Sequence, residues 1–199
     1  MMMKNQREGK IVSLWTKTVG VLLTVAIVMS FTVTSAFAST TSFIIKVDGV
    51  QVATVDVEDI ENLSSYDSGA VRYYSATNSA NFTSYYSAQG ATLEQILYTY
   101  ANIGIGDIDS MTIIAEDEYY VATDDPDTRI FGTKYYYPSG GGSGIQVPAI
   151  IATAARGGIG TTGLDQLNTL RLFIGQASQG EQMSSWDIKY VSEIDIITN

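Results

Sequence analysis

Tyrosine is the most conspicuous chemical group in this sequence. There are thirteen, and many stand in rows: Tyr73-Tyr74, Tyr85-Tyr86, Tyr119-Tyr120 and Tyr135-Tyr136-Tyr137. A tyrosine ring offers a rigid apolar face and one hydroxyl, a combination that suits sugars and protein partners. Neighbours on a strand point to opposite faces, so one member of each pair is expected in the core and the other outside. The competing reading is that such rows are good strand formers covering a sheet. Tyr119, Tyr135, Tyr136 and Tyr137 are the candidates for a binding surface. Carboxylates come second. Asp124, Asp125 and Asp127, near Glu116, Asp117 and Glu118, could offer oxygens to Ca²⁺, a hard ion that takes several. Their spacing matches no EF-hand loop, and a solvated acidic loop is the alternative. Glu94, Glu181 and Asp187 could supply the two acids of a glycosidase, but their spacing fixes no separation. Gly157, Gly158, Gly160 and Gly163 suggest a phosphate loop, yet no Lys-Ser/Thr follows, so they read as a plain loop.

Two absences narrow the chemistry further. The chain has no cysteine and no histidine. That excludes a thiolate nucleophile, a Ser-His-Asp triad, and thiolate or imidazole metal ligands. Carboxylates, lysines, tyrosines and hydroxyls remain. No catalytic residue is assigned on this basis.

The elements that must hold these groups follow from pattern. Phe43 to Val47 and Gln51 to Val55 flank Asp48-Gly49, which predicts a hairpin because both turn residues tolerate positive φ. Asp56 should cap a short helix whose Val57, Ile60 and Leu63 face the core. Ala70 to Ala76 and Phe82 to Ala88 read as strands. The clearest helix is Leu93 to Ala101, with Leu93, Ile96, Leu97 and Tyr100 forming an apolar stripe. Thr92 and Gln95 have capping-box spacing, and Gly104 and Gly106 should stop the helix. Met111 to Ala115, Tyr119 to Ala122 and Val147 to Ala155 are further strands. Ser139 to Gly144 is a low-complexity surface loop, and Arg171 should pair with an acidic neighbour. The chain closes on Leu170 to Gln176 and Trp186 to Ile197. In the second run Trp186, Ile188, Tyr190, Ile194 and Ile196 alternate onto one face, with Ser192 and Val191 out of phase. This predicts one long strand within an α+β fold of mixed, largely antiparallel sheets with one main helix.

Charge and leader speak to location. Lys4, Arg7, Lys10 and Lys17 precede an apolar run from Val19 to Val33, and Ser35-Ala36-Phe37-Ala38 follows. This is the pattern of a secretory signal peptide over residues 1–38, with a single domain over 39–199. An uncleaved membrane anchor is the alternative. The long basic start resembles a Gram-positive bacterial leader, which implies a secreted or cell-surface protein. The whole chain carries net charge −10, and without the leader seven basic and twenty acidic residues remain, a net −13. Such a domain repels nucleic acid and anionic membranes, so neither is an expected partner.

The order of the pieces resembles the sulfite-oxidase-type molybdopterin-binding oxidoreductase domain. Gly90-Ala91-Thr92-Leu93-Glu94-Gln95-Ile96-Leu97 is similar to that family's Gly-x-x-Leu-x-x-Leu-Leu helix start. Met111 to Tyr120, Val147 to Ala152, Leu170 to Gly175 and Trp186 to Val191 follow in the family's order, covering most of 43 to 197. The family holds molybdenum through a cysteine thiolate in a loop after an early strand. The resemblance places that loop at about Ser75 to Asn81, where Ser75, Thr77, Asn78 and Ser79 stand instead. A hydroxyl is a far poorer ligand than a thiolate, so no cofactor is expected there. The resulting expectation is a non-catalytic module on a degenerate scaffold, binding an extracellular protein or glycan. A molybdopterin-dependent oxidoreductase and a carboxylate-based hydrolase are the alternatives.

Overall fold

The computed structural model describes residues 41–66, 71–160 and 162–199. The expected leader lies outside the described residues, as does Ala70, where the third strand was expected to begin. The first strands, β1 (Ser42–Val47) and β2 (Val50–Asp56), form the predicted hairpin. Asp48 at φ 51° and Gly49 at φ 77° give it the two positive φ values of a type I′ turn. Asp56 caps α1 (Val57–Glu61): its carboxylate accepts from Asp59 N, and the Asp59 carboxylate accepts from Asp56 N. Ile60 is buried and Leu63 follows it into the core.

β3 (Arg72–Thr77) and β4 (Thr83–Thr92) are joined by a turn in which Asn78 Oδ1 accepts from Ala80 N and Phe82 N. β4 runs directly into α2 (Leu93–Ala101), so the strand hands over to the helix at its cap, Thr92. The capping box expected there is not formed. Thr92 Oγ1 accepts from Gln95 N, but Thr92 N donates to Ser65 Oγ, and the Gln95 amide bridges Ser64 and Ser65. The helix is thereby tied to the loop before β3. Its stop also differs from expectation: Asn102, left-handed at φ 55°, ends it before Gly104 is reached.

Next come β5 (Ile108–Ala115), β6 (Tyr120–Thr123), the one-turn α3 (Pro126–Arg129), and the short pair β7 (Tyr135–Tyr136) and β8 (Ile145–Gln146). β9 (Ile150–Gly157), β10 (Asp165–Phe173) and β11 (Val191–Thr198) complete the fold. One sheet has the order β2-β1-β11-β5-β6, in which β1 and β11 are parallel and the other pairs antiparallel. The second, β10-β9-β4-β3, is antiparallel throughout. The fold is thus α+β, mostly strands in mixed and antiparallel sheets with few short helices.

The main core gathers Phe43, Ile45, Met111, Ile113, Ile194 and Ile196 of the first sheet with Ile151, Leu170 and Leu172 of the second. α2 adds Leu93, Ile96 and Leu97 to it. A smaller core, around Tyr74, Tyr136, Phe173 and Ile150, lies on the second sheet.

The closing stretch needs a correction. It is not one strand from Trp186 to Ile197. Ser184–Trp186 is a 3₁₀ turn, Ile188 is buried, and Tyr190 takes φ 61° and turns outward. Val191, not Tyr190, is the buried residue, and a register shift between Val191 and Glu193 restores Ile194 and Ile196 to the inner face. The two residues out of phase in the sequence mark this irregularity. β11 itself lies in the middle of its sheet, between β1 and β5.

Candidate functional site

The place that the sequence resemblance assigns to a metal-binding loop is solid protein. Ser75 and Thr77 lie on one face of β3 and are 0% and 2% exposed. Both are engaged by Gln176, itself 1% exposed, which follows β10. Ser75 Oγ donates to Gln176 Oε1 at 2.7 Å and accepts from Tyr137 N at 3.1 Å. Gln176 Nε2 donates to Thr77 Oγ1 at 3.1 Å and to the Glu181 carbonyl at 2.7 Å. The Gln176 backbone pairs with Tyr135 in both directions, and Met183 N donates to the Thr77 carbonyl. A buried amide pays heavily for any unmade hydrogen bond, and here both ends of the Gln176 amide are used. Asn78, half-buried, serves the turn described above, and Ser79 is exposed. These residues do not fit a molybdenum cofactor: no thiolate is present and the hydroxyls are buried against a glutamine.

Tyrosines surround this cluster, sorted by strand alternation. Tyr73 and Tyr85 contact Tyr136, with ring centroids at 5.8 and 6.4 Å. Tyr74 and Tyr86 contact Phe173 instead, at 5.3 and 5.5 Å. Tyr74 is buried, donates to the Pro148 carbonyl, and has its hydroxyl pKa raised well above the ordinary value by desolvation. Tyr136 was expected on the binding surface and is a core residue; burial raises its pKa first, with Tyr85 and Tyr73 adding to the effect. Tyr135 and Tyr137 flank it half-buried, their rings 6.0 Å apart.

Arg171 has the acidic partner expected of it. Its Nε and Nη2 donate to the two Asp187 carboxylate oxygens at 2.7 and 2.5 Å. Its guanidinium lies 4.5 Å from the ring centres of both Tyr86 and Phe173. Desolvation pulls the Arg171 pKa down, but Asp187 outweighs it and the net direction is up. This is a structural clamp, and it removes Asp187 from the hydrolase candidates.

The other carboxylates are dispersed as well. Glu181 accepts from Ala177 N and shapes a loop. Glu94 lines a shallow cleft of about 280 Å³ with Tyr98, Ile103 and Ile105, and is its only charged residue. Asp125 caps α3 through Thr128 N, while Asp124 and Asp127 are exposed beside it. Among the described residues no three acidic side chains gather as a metal ion would require. Gly160 and Gly163 lie beside the Arg156 guanidinium, which donates to the Thr162 carbonyl.

Among the described residues the most exposed aromatics, Phe82 and Tyr98, stand at the β3–β4 turn and on α2, and three exposed tyrosines lie near the end of β5 in the first sheet. Tyr119, Tyr120 and Tyr190 are 47%, 63% and 45% exposed. Ala115 N donates to the Tyr119 carbonyl and Glu116 N to the Tyr190 carbonyl. The two tyrosines therefore flank the same point at the end of β5, one on each side. The Tyr119 hydroxyl donates to the Ser185 carbonyl at 2.9 Å, which fixes an exposed ring. Tyr190 holds its left-handed backbone at a cost of roughly 1–2 kcal/mol for a residue with a Cβ. Of these, only Tyr119 was singled out from the sequence. Tyr190 was assigned to the core, and the residues out of phase after it were the signal for its reversal. Gln176 carried no signal beyond being a polar residue at the end of an apolar run.

No protein-family model matches the sequence, and no curated protein matches it.

Proposed function

We propose that this chain is a secreted or cell-envelope, non-catalytic module that binds an extracellular glycan or protein through exposed tyrosines. Its scaffold is similar to the sulfite-oxidase-type molybdopterin domain, with the cofactor chemistry lost. The observation that carries the reading is the Ser75–Gln176–Thr77 cluster, a set of buried hydroxyls bonded to an amide in the segment to which the resemblance assigns a metal ligand. A side chain that satisfies its neighbours in place of a cofactor is a stable substitute for it, not an open site. Folds outlive their activities, so the scaffold carries no reaction with it. The expected leader and the net charge of −13 without it fit an exported, soluble module.

Elemental analysis of purified protein, combined with an array of bacterial-surface glycans, tests this. The expected result is no stoichiometric molybdenum and saturable binding to one glycan class or to a purified envelope protein. Stoichiometric molybdenum, or hydrolysis of an arrayed polysaccharide, overturns it.

A further inference from the structure

A cleft lies along α2, and its walls are fixed by contacts within the protein. Asn102 ends the helix in a left-handed conformation. Ile103, Gly104 and Ile105, which follow, line one cleft of about 280 Å³ with the helix residues Glu94 and Tyr98. Ile103 N donates to the Leu97 carbonyl, and Gly104 N donates to the Asp107 carboxylate. At the other end of the cleft Thr92 Oγ1 accepts from Gln95 N, and the Gln95 amide is spent on Ser64 and Ser65. Two groups are left over. Among the described residues neither the Glu94 carboxylate nor the Tyr98 hydroxyl has a partner in the protein. They stand four residues apart, on one face of the helix, and Tyr98 is 66% exposed. Ile103 and Ile105 give the cleft its apolar wall.

The unmatched groups select the ligand. A carboxylate only accepts hydrogen bonds, and the face of an aromatic ring attracts positive charge, so a cationic group that only donates matches both. The net charge of −13 without the leader adds long-range attraction for it. A shallow cleft leaves a strongly hydrated ammonium in its water, whereas a planar, weakly hydrated guanidinium stacks on a ring and meets both oxygens of a carboxylate. We infer that this cleft receives an arginine side chain of a partner polypeptide, its guanidinium on Tyr98 and Glu94 and its alkyl stem against Ile103 and Ile105. The protein uses the same chemistry internally, where Arg171 meets Asp187 and lies over Tyr86 and Phe173. The inference rests on the binding-module reading, in its protein-binding form, and gives it a site and a recognised group.

Backbone-amide NMR titration of the full chain tests it with five probes: arginine blocked at both ends, blocked lysine, blocked citrulline, free arginine and methyl glucoside. Blocked arginine should shift the amides from Glu94 to Ile105 saturably, and less strongly at higher salt. Citrulline keeps the shape and drops the charge, so it should bind about tenfold more weakly. Glu94→Gln should weaken arginine binding by about tenfold, and Tyr98→Leu by roughly threefold, while Tyr98→Phe keeps the ring and most of the affinity. Both positions are exposed on the helix, so the melting temperature should hold. Arginine binding unchanged in both Glu94→Gln and Tyr98→Leu overturns the site. Equal binding of the lysine or citrulline probe overturns the guanidinium, and tighter binding of free than of blocked arginine overturns the partner polypeptide. Methyl glucoside as the better ligand, lost in Tyr98→Leu, overturns the arginine assignment and leaves the binding-module reading standing. Failure of the arginine probe beside a positive glycan array does the same. Failure of all five probes, together with a blank array and no binding to an envelope protein, overturns both.

Discussion

Gln176 and Ser75 share a 2.7 Å hydrogen bond across 101 residues of sequence, inside a cluster sealed from solvent. That bond ties the end of β10 to β3, and Gln176 then reaches on to Thr77 and the Glu181 carbonyl. Replacing Gln176 by Leu takes the acceptor from the buried Ser75 hydroxyl and the donor from the Glu181 carbonyl, and leaves Thr77 Oγ1 with Thr83 alone. The expected loss is about 2–4 kcal/mol in denaturant unfolding. Ser75→Ala removes one donor and leaves Tyr137 N unpaired, so about 1–3 kcal/mol is expected. The two losses should not add, because both substitutions break the same contact. A Gln176→Leu protein as stable as wild type would contradict the cluster as described.

The clamp of Arg171 on Asp187 is a second contact that stability should report. Both side chains are nearly buried, at 13% and 10% exposure, so salt screens them little. Asp187→Ala strands a buried guanidinium between two rings, and a loss of about 3–5 kcal/mol is expected. Arg171→Lys keeps the charge but gives up the two-point contact and the flat stacking, so it should recover only part of the loss. Thermal or denaturant melts of the two variants at low and high salt check this. A conservative result for Arg171→Lys would mean that charge alone matters.

Acid should loosen the hairpin at the other end of the first sheet. Asp48 accepts from Thr198 N at 3.0 Å and from Thr198 Oγ1 at 2.8 Å, which holds its pKa below the ordinary aspartate value of about 3.8. A carboxylate with a depressed folded pKa stabilises the fold above its unfolded value, and the stabilisation is lost as pH falls through the folded one. Asp48→Asn keeps the favoured turn, removes the charge and turns one of the two acceptor oxygens into a donor. The stability difference between wild type and Asp48→Asn should therefore stay flat around neutrality and shift against wild type below about pH 4. A difference independent of pH would show that the Thr198 contacts do not depend on ionisation.

The sequence was most legible where one local rule decided the outcome. Asp48-Gly49 named its own turn, Asp56 its cap, and the stripe from Leu93 to Tyr100 a helix with the expected bounds, though not the expected end contacts. It was least legible where tertiary partners intervened. Gln95 had the spacing to reach back to Thr92 and was taken instead by Ser64 and Ser65, which no local pattern contains. Tyr190 had the phase of a core residue and lost it to a left-handed backbone. Tyr136 read as surface because a tyrosine row does not say which member is covered; Tyr73 and Tyr85, contributed by other strands, cover it. Gln176 depended on four separate segments converging, so its role could not be read from its own neighbours.

Gly90 offers the most severe single test of the fold. The β4–β9 register shifts between Gln89 and Gly90, and a Cβ at Gly90 would sit 2.0 Å from the Ile151 carbonyl oxygen and 2.6 Å from the Ala152 Cα. Those contacts are backbone, in the middle of the second sheet, and cannot rotate away. The Gly90 carbonyl also accepts from Arg72 Nη1 at 2.9 Å, so a shift of β4 would cost that bond as well. Gly90→Ala should cost about 3 kcal/mol or more, in the range of severe overpacking, and should lower soluble yield sharply. Gly106→Ala, where a Cβ meets nothing within 4 Å, is the control and should fold normally. Circular dichroism melts of the two variants decide it: equal melting temperatures would mean that β4 and β9 are not in this register.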